Sequence, residues 1–218
     1  EAKKGWVATA NQRITPPNYP HYLGQDWHTP QRFERIEQVL QSKPQHDVKG
    51  MQTLQNDTLS LSTQALLPVL KATTSQHPLA AKALQTLEGF DGRMQANRPA
   101  PLIFAVWADE LTRGLVEPKL GADVFKAQYG KRHFRMLLEQ VMQQRDSVWC
   151  APKTCAEQST AALDRALDRM AAQHGQTPAD WRWGDEHLAL STHKPLGQVP
   201  VLRDLFSVKV PSDGDLFT

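Results

Sequence analysis

The sequence predicts an α+β fold that is predominantly α-helical, and three observations predict it. Between residues 31 and 174, apolar side chains return at helical spacing in one segment after another. Strand-type patterning is confined to the two ends, residues 5–10 and the stretch after Trp181. Proline, glycine and asparagine punctuate the joins. Residues 1–30 therefore read as a strand followed by a site-lining loop, 31–175 as a helical region, and 176–218 as a strand-bearing return.

Residues 5–10 carry Val7, Thr9 and small or aromatic neighbours, which favour a short strand ending in the amide of Asn11. Pro16, Pro17, Asn18, Pro20, Gly24 and Pro30 then exclude a regular element. Tyr19, Tyr22 and Trp27 make this an unusually aromatic loop, which reads as packed and lining a site. The first helix spans 31–41, with Phe33, Ile36, Val39 and Leu40 on one face and Thr29-Pro30 at its start. A second, 48–54, follows Asp47 as cap. Helices over 60–71 and 78–87 come next, and Asp57 reads as a helix cap.

The most apolar helix covers 100–116, with a stripe of Ile103, Phe104, Trp107, Ala108, Leu111 and Leu115. The stripe reads as core, and Phe104 and Trp107 are alternatives for an acyl pocket. Residues 124–145 form one helix or a pair, buried through Phe134, Leu137, Leu138, Val141 and Met142. Lys131, Arg132, His133 and Arg135 read as a solvated basic face. The last long helix, 155–174, buries Ala161, Leu163, Ala166, Leu167 and Met170, and Gly175 stops it. His187 and His193 share one parity of the strand that follows and read as structural histidines, too far apart to share one ion. Residues 208–211 suit a second strand, 212–215 a turn, and 216–218 the start of another strand.

Composition narrows the function. A net charge of +2 provides no basic field for nucleic acid, and no apolar run is long enough to span a membrane. Fifteen prolines and six tryptophans fit an extracytoplasmic enzyme better than a flexible adaptor. The two cysteines, Cys150 and Cys155, lack the further ligands of a zinc site. A short disulfide loop is the simpler account, with two free thiols as the alternative, and a bond argues for an oxidising compartment, periplasmic or secreted.

An asparagine at a strand end offers an NH2 donor at a fixed place, suited either to satisfying a turn or to stabilising an oxyanion. Arg32, opening the next helix, could orient that amide or bind a carboxylate. The residues that bear on the choice are Gly5, Trp6, Val7, Asn11, Tyr19, Pro20 and Arg32. In the phrases GWVATANQRITPPNYPHYLG and QRFERI, they resemble the segment of penicillin acylase-type enzymes that carries the oxyanion-hole asparagine. MQTLQNDTLSLSTQALLPVL, Phe90-Asp91-Gly92 and WGDEHLALSTHKPLG resemble later phrases of the same family, in order. A Trp-Cys with a second Cys nearby is similar to its acyl-homoserine-lactone and aculeacin branch.

This resemblance implies an N-terminal-nucleophile hydrolase with a four-layer αββα sandwich, cut from a precursor to expose a serine. Asn11 would donate to the oxyanion and Arg32 would hold the site in order. Asn11 must then face a cleft where sheet and helices meet, not open solvent. The polypeptide would be an internal piece of the β-subunit, inert alone, whose partners are an acyl-amide substrate and the remainder of its own precursor. No cofactor is expected in this stretch. A structural calcium of the full-length enzyme has no clear match here: Asp26 is the nearest candidate, and Leu23 occupies the aligned place. The rival readings are a non-catalytic helical binding module and a metal hydrolase using the histidines.

Overall fold

In the computed structural model, residues 4–129, 133–144 and 147–218 are described. Helices α1 (Gln31–Gln41), α2 (Val48–Gln55), α3 (Leu61–Lys71), α4 (Ala80–Gln85), α5 (Pro99–Leu120), α6 (Ala122–Gln128), α7 (His133–Gln143) and α8 (Cys155–His174) follow one another. Strands β1 (Leu188–Thr192) and β2 (Ser207–Pro211) come after them, with the short α9 (Arg203–Phe206) between.

The core is built on α5 and α8, which pack against each other most extensively. Every member of the predicted α5 stripe is buried, from Ile103 to Leu115. From α8, Leu163, Ala166, Leu167 and Met170 join it, with Ala162 buried where Ala161 is half-buried. Around Ser159 the buried polar atoms are paired: the Trp107 indole donates to the Ser159 carbonyl and hydroxyl at 3.3 and 3.2 Å, and the Thr73 hydroxyl lies 2.6 Å from that of Ser159. Two arginines of α8 reach back to α5. Arg165 reaches the Glu110 carboxylate at 3.1 Å, and Arg169 reaches Asp109 at 2.7 Å.

Local chemistry sets the helix ends. Asp47 accepts from the Gly50 N–H at 2.7 Å at the start of α2. Ser60 caps α3 through the Thr63 N–H. Thr154 and Glu157 form a reciprocal capping box on α8. A disulfide joins Cys150 to Cys155, the first residue of α8.

β1 and β2 pair antiparallel, with Leu190 opposite Lys209. Leu188, Leu190, Val208 and Val210 are all exposed. Ahead of β1, Trp183-Gly184 is a close-packing device: a Cβ on Gly184 would stand 2.7 Å from the Pro211 Cβ. His187 stacks on Trp183 with centroids 4.6 Å apart, and its Nδ1 donates to the Ser212 carbonyl at 2.8 Å. His193 lies instead beside Phe206, at 5.8 Å.

Four expectations are corrected. Residues 5–10 form no strand, because a strand exists only through its ladder and this segment pairs with none among the described residues. The loop after it is packed only in part: Tyr19 and Tyr22 are exposed, while Trp27 is half-buried and donates to the Gly24 carbonyl at 3.1 Å. Residues 216–218 turn rather than begin a strand. Asp57 caps nothing; Ser60 does that, and Asp57 instead receives two arginines. No helix among the described residues is long and apolar enough to cross a membrane.

Candidate active site

Asn11 is exposed, between the buried Ala10 and Gln12. Its φ is +66°, making it the single non-glycine residue with left-handed backbone among the described residues. Asparagine tolerates this region better than most residues, yet a non-glycine residue still meets strain there. Two contacts hold the conformation. The Gln12 side chain curls back to accept from the Ala10 N–H at 2.8 Å, and the Asn11 carbonyl accepts from the His28 N–H at 2.8 Å. The second contact, with the bridge between Gln12 and His28, closes the proline-rich loop at its base.

Within that loop, Arg13 folds over the prolines, reaching the Thr15 hydroxyl at 3.3 Å and the Pro16 carbonyl at 3.4 Å. Pro30 then leads into α1 without a side-chain cap. Arg32 is half-buried in the first turn and makes no hydrogen bond or ion pair among the described residues. It lines a cleft of about 330 Å³ with Arg35, Ile36, Met51, Leu54 and Asp57. Arg35 grips Asp57 through Nε at 2.9 Å and Nη2 at 2.6 Å. Arg93 approaches the same carboxylate at 3.5 Å.

Asn11 is not on the wall of that cleft, and no hydrogen bond joins it to Arg32. The Asn11 carbonyl is tied to the His28 N–H, ahead of α1. The expectation that Asn11 faces a cleft where sheet and helices meet is corrected: it is exposed to solvent.

Beside α1 lies a cluster that the sequence reading missed. Gln31 is buried and donates from Nε2 to both Glu139 carboxylate oxygens, at 3.1 and 3.4 Å. The Ser62 hydroxyl donates to the same carboxylate. One turn earlier on α7, Arg135 has its guanidinium over the rings of Phe104 and Phe217, at 5.4 and 5.2 Å. Burial pulls the guanidinium below its ordinary pKa, against the charges of Asp215, Glu139 and Asp109. Burial likewise raises the Glu139 carboxyl, against the Ser62 hydrogen bond and the Arg135 charge.

Arg135 thus corrects the predicted solvated basic face. Lys131, Arg132 and the side chain of His133 lie outside the described residues. The signal available in sequence was the i, i+4 spacing of Arg135 and Glu139 astride the buried Leu138.

Asp26 is exposed, and among the described residues no three acidic, His or Cys side chains gather to hold a metal.

The architecture matches that of a thermostable penicillin G acylase from Alcaligenes faecalis, with a TM-score of 0.64 over 97% of this chain and 44% of that one, at 15% identity. That likeness defines the class of fold. A family model described as penicillin amidase matches residues 1–218, and the chain belongs to that family. It is 31% identical to penicillin acylase 2 proenzyme of Pseudomonas sp. (strain SE83), over 97% of this chain and 28% of that protein. It is 25% identical to acyl-homoserine lactone acylase QuiP of Pseudomonas aeruginosa, over 86% and 25%. The chain thus spans about a quarter of the length of these curated relatives.

Proposed function

We propose that this chain forms part of an amide hydrolase that separates an acyl chain from an amine. The nucleophile is an N-terminal serine supplied by sequence outside these 218 residues, whose own α-amine serves as its general base. Serine attack turns the amide carbonyl into an oxyanion, collapse releases the amine, and water then frees the acid from the acyl-enzyme. Asn11 donates its side-chain N–H to the oxyanion in both steps, and Arg32 keeps that amide oriented.

The observation that carries this reading is the backbone of Asn11. A strained non-glycine conformation that neighbouring bonds hold in place is a signature of functional positions. It falls on the residue to which the family resemblance assigns the oxyanion. Asn11 is exposed in this chain, so the reading requires the facing wall of the cleft to come from the remainder of the protein. The Arg32 side chain has no hydrogen-bond or ion-pair partner among the described residues, which is compatible with a role at that site. Family membership and the disulfide support a periplasmic or secreted setting.

The test is hydrolysis by the full-length processed protein of para-nitroanilides bearing fatty-acyl, phenylacetyl and glutaryl groups. Turnover of at least one, with a mass shift on the serine equal to that acyl group, is expected. No turnover and no acyl-enzyme across the panel would contradict the reading.

A further inference from the structure

α1 is held in place by polar contacts more than by packing. Its apolar residues Phe33, Ile36, Val39 and Leu40 are each only half-buried, and its single buried residue is Gln31. Its first turn lacks a side-chain cap, so no side chain next to its start satisfies the free N–H groups there. What holds that start is the Gln31 amide, clamped across both oxygens of Glu139.

Glu139 is itself fixed from two further sides. Ser62 of α3 donates to it, and the Arg135 charge lies one turn back on α7. Arg135 is anchored in turn between Phe104 and Phe217 and attracted by Asp215, which accepts from the Thr63 hydroxyl at 3.5 Å. The chain of contacts thus runs from the helical core to the residue immediately before Arg32.

From this geometry we infer that Gln31 and Glu139 are positioning residues for Arg32, fixing where its guanidinium enters the site. The inference rests on the role of Arg32 proposed above. Two enclosed atoms, Gln31 Oε1 and Arg135 Nη1, have no hydrogen-bond partner among the described residues. Buried polar groups left short in this way are tolerated at functional networks more readily than in plain structural ones.

The experiment is a double-mutant cycle in the full-length processed protein, read on phenylacetyl and decanoyl para-nitroanilides. Gln31→Leu removes the clamp and keeps the side-chain bulk. Alone it should lower kcat on the order of 10- to 100-fold, the scale of a small misplacement, with KM changed less than about twofold. In the Arg32→Ala background it should lower kcat no further. Glu139→Gln keeps an acceptor for both Gln31 and Ser62 and should retain kcat within about threefold, where Glu139→Ala should not. If Gln31→Leu does not fold, Ser62→Ala takes its place, and its loss of kcat should likewise vanish in the Arg32→Ala background.

Equal losses in both Arg32 backgrounds, or no loss from Gln31→Leu, would overturn the positioning role and leave the functional reading intact. Full activity of Arg32→Ala alone would instead remove the assigned role of Arg32, and the inference with it.

Discussion

Glu139 shows what burial does to a single residue here. Its carboxyl is raised above its ordinary value of 4.5, chiefly by burial. The folded protein therefore holds that proton more tightly than the unfolded chain. The stability this contributes is fully present below the unfolded value and is lost as pH rises through the raised folded value. Glu139→Gln cannot titrate, so its urea midpoint should fall less than that of the parent as pH rises above 4.5. Parallel profiles would show that the group is not perturbed. Beyond the i, i+4 spacing of Arg135 and Glu139, little of this was legible locally. Arg135 sits among charged neighbours in sequence, and its enclosure depends on Phe104 and Phe217, both remote along the chain. Asn11 was legible as a residue, but its left-handed backbone was not, because the contacts enforcing it come from a side chain and from the far end of a loop.

At the scale of elements, helices were read well and strands poorly, for one physical reason. A helix is specified within itself, by apolar period and by caps. The 31–41 and 155–174 boundaries and the Asp47 cap accordingly recur in α1, α8 and α2. A strand needs a partner, and residues 5–10 have none among the described residues, whereas β1 finds β2. The turn between α7 and α8 makes a quantitative prediction. Cys150 and Cys155 are buried and five positions apart, and chain entropy for so small a loop amounts to about 2 kcal/mol. Replacing both with alanine should lower unfolding free energy by about that amount, and reductant should bring the parent to the same level. A double variant as stable as the oxidised parent would contradict a stabilising bridge.

For the whole molecule, the helical core around α5 and α8 was predictable from its apolar stripes. The site was not, because Asn11 is exposed and does not line the cleft that holds Arg32. The account therefore stands on one side-chain amide acting in the complete protein. Asn11→Gly is the sharpest probe of it, since glycine accepts a φ of +66° without strain and removes only the amide. In the full-length processed protein, the account predicts unchanged or slightly higher thermal stability. It also predicts kcat lower by roughly 100- to 1,000-fold, the loss of one oxyanion donor. An Asn11→Gly enzyme that folds and turns over its acyl amide at the parental rate would contradict it.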